Sequence, residues 1–434
     1  MKKSLSSFFL HKIAYIVFGG AGAQDVVGGG GGKARLLFLI DITCKMIYHA
    51  FMSNTYERLF VSQLEQRLIA ENPRIQVLVG PRQVGKTTGV KQLLARYPYA
   101  SHYANADDLL NTDRTWLLEQ WQTAVSMGRQ TLLVIDEIQK VPNWSDTLKS
   151  LWDKAPQSIR VAVLGSSSLQ LQKGLAESLA GRFELMKAHH WSFHEQKIAF
   201  GYDLDRYLTY GGYPGAVVYE DDYDRWYSYL KDSIVEAVIG KDILLNRRVG
   251  NPTLFRQAFE ILCRYPAQEI SYTKLLGQLQ DKGNTDLVKY YIELYSGAFL
   301  IHPLEKYSAK GYLTRGSSPK IIVSCPALYA MNEGPQFLED RERRGRIFET
   351  AVGSQLQQLA GNLYYWREKN LEVDFIYKYR GKIYAIEVKS GRRKSSRGLD
   401  AFTKKHPSVN PVIITPENFP VFSEDPLMFL ANIS

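Results

Sequence analysis

Short apolar runs that alternate with segments of helical periodicity dominate the first half of the chain. Helical spacing of apolar positions recurs over residues 55–71, 107–127 and 143–154. The apolar runs between these segments predict four strands, at residues 77–79, 103–105, 131–135 and 160–165. Runs that are apolar throughout are typical of strands buried on both faces. The alternation therefore predicts an α/β fold with a parallel sheet and helices on both faces.

The middle of the chain predicts helices followed by a small mixed unit. Residues 192–245 have a helical pattern apart from a turn at 210–215, and we expect them to form a lid. The pattern of a winged helix follows, with helices at 254–263, 272–279 and 286–295 and a wing that starts at 299–304. Such a unit can enter a DNA major groove. The last helix offers few base-reading side chains besides Lys289 and Glu293, so DNA readout and a structural or partner-docking role both remain open.

Alternation of apolar and polar residues returns near the end of the chain. Residues 372–377 and 382–389 alternate like strands, and an earlier helix is predicted at 346–359. Residues 378–381 can link the two strands as a hairpin, because Gly381 tolerates a positive φ. This part of the chain therefore predicts a second, smaller α/β unit.

Charge is concentrated in the same region. The formal net charge of the chain is +10, and residues 341–405 contain 16 Lys and Arg against 7 Asp and Glu. A solvated charged face is one interpretation. The local density favours the other interpretation, which is a polyanionic partner such as DNA.

Composition narrows the class of protein further. The 434 residues are enough for two to four domains. Cys44, Cys263 and Cys325 are far apart, so they predict neither disulfides nor a metal site and fit a reducing, cytoplasmic compartment. No apolar run reaches the roughly 18–20 residues that span a membrane, so we expect no membrane partner.

The first 51 residues imitate a secretory signal, with a basic start, an apolar stretch and a run of small residues. His11 and Lys12 interrupt the apolar stretch, and a run of five glycines at residues 28–32 cannot pack. We therefore expect a disordered or mis-called leader, with Met52 as the natural start.

Residues 80–87 read GPRQVGKT, which matches the phosphate-binding P-loop pattern G-x-x-x-x-G-K-[ST] at every fixed position. The motif follows an apolar strand and opens a helix, as the pattern requires. Backbone N–H groups of the loop would surround phosphate oxygens, Lys86 would reach the β- and γ-phosphates, and the Thr87 hydroxyl would hold Mg²⁺. The predicted binding residues are Gly80, Pro81, Arg82, Gln83, Val84, Gly85, Lys86, Thr87 and Thr88.

An acidic pair fifty residues later supports the same chemistry. Asp136 and Glu137 end the apolar strand at 131–135. We expect Asp136 to hold Mg²⁺ and Glu137 to orient and polarise the attacking water, since the protein's part in phosphoryl transfer is mainly positioning and charge stabilisation. The cofactors predicted are thus ATP and Mg²⁺.

Two further residues have open assignments. Ser166 follows the strand at 160–165, where it would either sense the γ-phosphate or cap a helix at 169–178. Arg182 follows a glycine and would either contact a phosphate, its own or a neighbour's, or form a surface salt bridge. A contact with a neighbour's phosphate would imply a homo-oligomer.

A second group of charged residues lies on the predicted hairpin. Glu387 and Lys389 share one face of their strand, and Asp374 on the paired strand can meet them. Glu349 on the preceding helix can join them. Carboxylates in this number can hold Mg²⁺ for phosphodiester hydrolysis, with Lys389 stabilising the charge. A surface hairpin with ordinary charges is the alternative.

Several motifs together resemble a large group of bacterial and archaeal AAA-superfamily ATPases. These motifs are GPRQVGKTT, LLVIDEIQK, LGSSSLQL, SLAGRFE and YGGYPGAV, and EVDF with IEVKSG resembles the restriction-endonuclease-like fold. The resemblance spans about residues 55–405. It implies an ATPase at 52–190, a helical lid at 191–250, a winged helix at 251–310 and a restriction-endonuclease-like domain at 311–434.

The resemblance also implies site residues and leaves two functions open. It implies ATP hydrolysis at residues 80–88, Asp136 and Glu137, with Ser166 as sensor and Arg182 as arginine finger, and a nuclease-like set of Glu349, Asp374, Glu387 and Lys389. The chain departs from the pattern at 324–328, where SCPAL replaces an acidic strand end. We expect either an ATPase coupled to a DNA-associated nuclease-like domain, or an ATP-dependent switch whose inactive C-terminal domain binds DNA or a protein.

Overall fold

The computed structural model describes residues 56–107, 113–154, 159–165, 178–279, 284–308, 317–334, 336–391 and 396–433. From residue 57 onward, the described residues form one compact unit. The predicted leader at 1–51 lies outside the described residues. Within the described part of the chain, no helix combines the length and the apolar character that crossing a membrane requires.

A five-stranded parallel sheet forms the first half of this unit. Its elements are α1 Leu59–Leu68, β1 Ile75–Val79, α2 Lys86–Leu94, β2 Ser101–Asn105, α3 Arg114–Ser126, β3 Leu132–Asp136, α4 Trp144–Lys154, β4 Arg160–Gly165 and β5 Phe183–Lys187. The strands lie in the order β2-β3-β4-β1-β5 and all four pairings are parallel. β1, β3 and β4 are buried along their whole length, which matches their almost uniformly apolar sequences. The alternation predicts the parallel arrangement and four of these strands, and it misses β5.

Local sequence signals explain where several helices begin. Asp113 caps α3 by accepting a hydrogen bond from the backbone N–H of Trp116. α2 begins directly after Gly85, whose φ of 89° is one that glycine adopts readily. A capping box formed by Ser192 and Glu195 starts the next helix, α5 Phe193–Phe200.

The segment after the sheet is helical, as predicted, and ends in a long helix that contains two π-helical stretches. It comprises α5 Phe193–Phe200, α6 Leu204–Tyr210, a 3₁₀ turn Pro214–Tyr219, α7 Tyr223–Ser228, and π-helical stretches at Tyr229–Val235 and Val238–Leu244. Because α7 continues into the π-helical stretches, residues 223–244 form one helix, which we call the long helix. π-helical turns are rare and occur often at functional sites.

Three helices follow at the positions predicted for the winged helix, together with three antiparallel strands. Of these strands, only Ile301–Lys306 lies where the wing is predicted to start. The elements are α8 Pro252–Cys263, β6 Gln268–Glu269, α9 Tyr272–Gln278, α10 Thr285–Gly297, β7 Ile301–Lys306 and β8 Lys320–Val323. The strands lie in the order β7-β8-β6. Assignment of this unit to the winged-helix class stays a prediction.

The last part of the chain extends the same sheet. Its elements are α11 Pro326–Ala330, a 3₁₀ turn Phe337–Glu339, α12 Arg341–Leu356, β9 Asn362–Glu368, β10 Leu371–Tyr379, β11 Lys382–Val388, α13 Arg397–Lys405, β12 Asn410–Ile414, α14 Phe419–Glu424 and α15 Pro426–Ile433. β9 pairs in parallel with β7, which gives a seven-stranded sheet in the order β12-β11-β10-β9-β7-β8-β6. The division predicted at residue 310 therefore separates strands that share one sheet.

The predicted hairpin forms between β10 and β11. Tyr379 pairs with Lys382, which leaves Arg380 and Gly381 as a two-residue turn. Both have positive φ, 47° and 79°, as the favoured hairpin turn requires. The glycine thus has the conformational role that the sequence predicts.

Candidate active site

The P-loop lies at the carboxyl end of β1, where it packs closely against the chain that follows β5. A Cβ atom on Gly80 would lie 2.0 Å from the carbonyl oxygen of Ala188, so no larger residue fits there. Gln83 and Gly85 both have positive φ, 59° and 89°. The loop therefore follows the curled path that allows backbone N–H groups to surround an anion.

The Lys86 side chain is buried inside this loop. Its Nζ donates to the carbonyl oxygens of Gly80 at 2.9 Å and Pro81 at 2.6 Å. Burial lowers the pKa of Lys86 to about 8, although the nearby carboxylates of Glu137 and Asp136 act in the opposite direction. The Lys86 ammonium thus lies inside the loop in which phosphate groups would bind.

The Thr87 hydroxyl and the Asp136 carboxylate meet directly. Thr87 Oγ1 donates to Asp136 Oδ2 at 2.7 Å, and Tyr103 Oη donates to the same oxygen at 2.9 Å. Thr87 opens the helix after β1 and Asp136 ends β3, so the parallel sheet brings their carboxyl-end positions together. Hydroxyl and carboxylate oxygens are ligands that Mg²⁺ accepts, so this pair fits a bound Mg²⁺.

Glu137 lies one residue beyond β3 in a left-handed conformation, with a φ of 52°. Gln139 Nε2 donates to its carboxylate. Burial raises the pKa of Glu137, which moves this carboxylate toward the basicity of a general base. Strained backbone at such a position is common at functional sites.

The side chains of Arg58 and Trp191 hold the backbone of the P-loop in place. Arg58 Nη1 and Trp191 Nε1 each donate to the carbonyl oxygen of Val84 at 3.0 Å. Arg58 also forms an ion pair with Glu195 at 2.7 Å, and both side chains are largely buried. These contacts fix the backbone of the loop before any nucleotide binds.

The long helix contacts the P-loop through side chains. Arg82 donates from Nε and Nη2 to the two carboxylate oxygens of Asp242, at 2.7 and 2.6 Å. The hydroxyl of Tyr229 donates to Oε1 of Gln83. Asp242 and Tyr229 each lie on one of the two π-helical stretches. The sequence gives no sign of these partners, because they lie far along the chain from the motif.

Arg182 lies at the amino end of the parallel strands, whereas the P-loop lies at their carboxyl end. The carbonyl oxygen of Arg182 accepts from the N–H of Ile75, the first residue of β1, and the P-loop follows the last residue of β1. The five residues of β1, or about 16 Å, separate the two ends. Its side chain pairs with Asp153 at 2.7 Å. Contact with a phosphate in the chain's own P-loop is thus excluded, and a neighbour's site stays a prediction. Ser166 lies outside the described residues.

The predicted acidic residues of the C-terminal part lie close together, with one unpredicted cation among them. Lys320 Nζ lies 2.5 Å from Glu349 Oε1, 3.1 Å from Glu372 Oε1 and 3.7 Å from Asp374 Oδ1. Glu349, Glu372 and Asp374 offer carboxylate oxygens within 4.8 Å of one another, a spacing that could hold a metal ion. Neither Lys320 nor Glu372 is among the residues predicted from the sequence.

Electrostatics in this cluster follow from burial and from Lys320. Burial raises the pKa of Glu349 to about 8, with a further contribution from Asp374. Burial also opposes the charge on Lys320, but Glu349, Asp374 and Glu372 outweigh it, so the pKa of Lys320 is raised. For Glu372, the ammonium outweighs the effect of burial and the pKa is lowered.

Glu387 and Lys389 lie beside the cluster and pair with each other. Lys389 Nζ is 2.6 Å from Glu387 Oε1. Asp374 Oδ2 accepts from the N–H of Val388 at 2.7 Å, which ties Asp374 to the strand that carries this pair. Burial raises the pKa of Glu387 to about 7. The structure therefore brings together all four residues predicted here, with Asp374 between Lys320 and the Glu387–Lys389 pair.

Sequence signals for the two missed residues differ in strength. Glu372 precedes Asp374 by two strand positions, so both point to one face of β10, and this spacing could have identified it. Lys320 only opens a short apolar strand, and no spacing relates it to the carboxylates.

Ion pairs neutralise part of the positive charge of residues 341–405. Its cations that pair with acidic side chains include Arg343, Arg344, Arg346, Arg367, Lys389 and Lys405. Asp205, Glu269 and Glu333, which lie outside residues 341–405, supply some of the partners. Arg392, Arg393 and Lys394 lie outside the described residues.

Three family models match successive parts of the chain. Residues 72–197 match an AAA domain, residues 201–334 a domain of unknown function (DUF8612), and residues 344–431 another domain of unknown function (DUF4143). The first match includes the P-loop and the Asp136–Glu137 pair. Together with the parallel sheet and the Thr87–Asp136 contact, it defines an AAA-type P-loop ATPase domain.

Proteins that are similar to this chain over most of its length are themselves uncharacterized. The chain is 27% identical over 375 residues to MJ1544 of Methanocaldococcus jannaschii, which covers 79% of this chain and 82% of that protein. It is 28% identical over 325 residues to Rv2008c of Mycobacterium tuberculosis, with 73% and 70% covered.

Among solved structures, RuvB of Thermotoga maritima, a Holliday junction branch migration motor, covers 56% of this chain and 88% of its own, with 14% identity and a TM-score of 0.30. At these values the likeness adds nothing about what this chain does.

Proposed function

We propose that this protein hydrolyses ATP at the P-loop with Mg²⁺ and acts as a nucleotide-controlled switch on a DNA-binding C-terminal part. The 2.7 Å contact between Thr87 Oγ1 and Asp136 Oδ2 carries this proposal, because it joins the two predicted Mg²⁺ ligands beside the buried Lys86. Thr87 and Asp136 would hold Mg²⁺, which would supply positive charge against the phosphates of ATP.

The residues around the phosphates would have separate roles in hydrolysis. Lys86 would exchange its two carbonyl partners for phosphate oxygens and stabilise the charge on the transferred phosphoryl group. Glu137, whose pKa is raised by burial, would accept a proton from the attacking water, with Gln139 orienting its carboxylate. Arg58 and Trp191 keep the loop in place through the Val84 carbonyl.

The two contacts between P-loop and long helix are the proposed route of the switch. Arg82 and Gln83 are loop residues. Phosphate would compete with Asp242 for the guanidinium of Arg82, and the resulting shift of the loop would also move Gln83, whose Oε1 accepts from Tyr229. A nucleotide shifts a conformational equilibrium only as far as its affinities for the two states differ. Release of the long helix on ATP binding would supply such a difference.

ATP hydrolysis and DNA affinity, measured on the same preparations, test the proposal. We expect Lys86→Ala to lose hydrolysis and Glu137→Gln to hold ATP without cleaving it. The Glu137→Gln protein with ATP should then bind DNA with an affinity different from that of the wild type with ADP. Equal affinity in both states would rule out the switch, and absence of hydrolysis in the wild type would rule out the enzyme.

A second candidate function is a nuclease in the C-terminal part. The contact of Asp374 with the strand of Glu387 and Lys389 favours it, because this is the predicted set for metal-assisted phosphodiester hydrolysis. Mg²⁺-dependent cleavage of single- or double-stranded DNA that Asp374→Ala abolishes, with ATP hydrolysis intact, would establish it. A wild type that hydrolyses ATP and never cuts DNA would leave the switch as the function.

A further inference from the structure

Lys320 is a cation built into the centre of an acidic cluster. Its side chain is 0% exposed and its Nζ lies 2.5, 3.1 and 3.7 Å from carboxylate oxygens of Glu349, Glu372 and Asp374. It also donates to the backbone carbonyl oxygen of Asp374 at 3.3 Å. An ammonium group has three N–H donors. Two of them are used by Glu372 Oε1 and the carbonyl oxygen of Asp374, and the contact with Glu349 is an ion pair.

The same three carboxylates are those whose spacing could hold a metal ion. Their ligand oxygens lie within 4.8 Å of one another. The ammonium lies beside each of these carboxylates, so it provides one positive charge among them, where a divalent cation would provide two. A buried charge is costly unless it is paired, and here the Lys320 ammonium forms ion pairs with all three carboxylates.

Lys320 is also fixed through its backbone. It opens β8, where it pairs with Leu304 of β7 on one side and with Glu269 of β6 on the other. The Phe375 ring lies 5.3 Å from its ammonium. A flexible surface lysine could swing away to admit a metal, but a lysine in the centre of three strands with no exposed side-chain surface has no such path.

We propose that Lys320 is the permanent counter-ion of this cluster and takes the place of a divalent cation, so that Glu349, Glu372 and Asp374 bind no metal in this protein. The cluster then serves to join β8, β10 and α12 rather than to catalyse. Any metal that the C-terminal part binds would have to lie on the other side of Asp374, beside Glu387. The inference does not depend on ATP hydrolysis, which is measured separately.

Mn²⁺ binding to the nucleotide-free protein tests this inference. All proteins would carry Thr87→Val, which removes the hydroxyl proposed to hold Mg²⁺ at the P-loop. With Lys320 present, we expect Glu349→Gln to leave Mn²⁺ binding unchanged. Replacing Lys320 by methionine, which keeps the length and removes the charge, should lower the unfolding temperature and create a new Mn²⁺ site. Mn²⁺ should then raise the unfolding temperature, and by more at higher Mn²⁺ concentration.

A matched variant locates the new site. In Lys320→Met, the further changes Glu349→Gln and Asp374→Asn should remove both the Mn²⁺ site and its stabilising effect. The inference is overturned if the protein with Lys320 binds Mn²⁺ at a site that Glu349→Gln weakens, or if Lys320→Met gains no Mn²⁺ site. If Lys320→Met does not fold, the first comparison still decides, because it uses only proteins that keep the lysine.

Discussion

The guanidinium of Arg82 and the carboxylate of Asp242 form a bidentate pair, with N–O distances of 2.7 and 2.6 Å, across 160 residues of sequence. Planar pairs of this kind are specific in geometry as well as favourable in energy. The Asp242 side chain is 8% exposed and that of Arg82 is 28% exposed. The pair therefore anchors the P-loop to a helix that carries none of the residues proposed to act on ATP.

Asp242→Asn is the first test of this anchor. The neutral amide would hold Arg82 less strongly, and the negative charge near the phosphates would be gone, so we expect ATP to bind more tightly. A partly exposed pair contributes about 1 kcal/mol, which corresponds to roughly a fivefold change in affinity. Titration with a fluorescent ATP analogue would measure it. Asp232→Asn, which changes an exposed carboxylate on the same helix, is the control and should change nothing.

The contact between Thr87 and Asp136 makes a second prediction. Thr87→Val keeps the shape of the side chain and removes the oxygen that donates to Asp136 at 2.7 Å. We expect hydrolysis to fall by about 100-fold or more, as for the loss of one strong electrostatic contact in a transition state. ATP binding measured without Mg²⁺ should remain. Thr123→Val, which removes an exposed helix hydroxyl, should leave both unchanged. Hydrolysis at the wild-type rate in Thr87→Val would refute this role.

The P-loop and the hairpin could be predicted from sequence because their signals are local. The fixed glycines and Lys86 lie within one short motif, and the Arg380–Gly381 turn is set by its own dihedral preferences. Residues that packing brings into contact from distant parts of the chain have no such local signal. Asp242 and Tyr229 lie 160 and 146 positions from the loop residues they contact, and Lys320 lies 52 positions from Glu372. The predicted boundary at residue 310 rests on local sequence patterns, which cannot show that β7 pairs with β9.

The lowered pKa of Lys86 predicts how ATP affinity depends on pH. Burial lowers the pKa of Lys86 to about 8 in the nucleotide-free protein, so its ammonium loses its proton above that pH. Because phosphate binding needs the charged form, ATP affinity should be level below pH 8 and fall above it, by up to about tenfold per pH unit. Calorimetric titration between about pH 6.5 and 9.5 in buffers of known ionisation heat would show it. Lys86→Met should bind weakly and lack the step, and a step of equal size in Lys86→Met would assign it to another group.

Arg182 predicts behaviour that only an assembly can show. It lies at the amino end of the parallel strands, opposite to its own P-loop at their carboxyl end, so a role in hydrolysis requires a second subunit. Arg182→Ala and Lys86→Ala should each be inactive alone, and mixing them should restore part of the activity, because some interfaces then combine an intact P-loop with an intact arginine. Asp153→Asn removes the partner of Arg182 and serves as the control, with activity kept. Full activity of Arg182→Ala alone would reduce the residue to its ion pair with Asp153.

Gly212 predicts a large loss of stability at the junction of the helical segment with the C-terminal part. It has a φ of 125°, and a Cβ atom there would lie 2.4 Å from Cys325 Cβ and 2.5 Å from its Sγ. Gly212→Ala should therefore cost about 2–5 kcal/mol, from backbone strain and overpacking together. Urea unfolding would measure the loss.

Two further variants test the cause of this loss. Cys325→Gly removes both contacting atoms but not the backbone strain, so the double variant Gly212→Ala with Cys325→Gly should lose less stability than the two single losses combined. Gly277→Ala, inside α9 with open space around it, is the matched control and should be neutral or slightly stabilising. An equal loss in both alanine variants would mean that the contact with Cys325 does not limit this position.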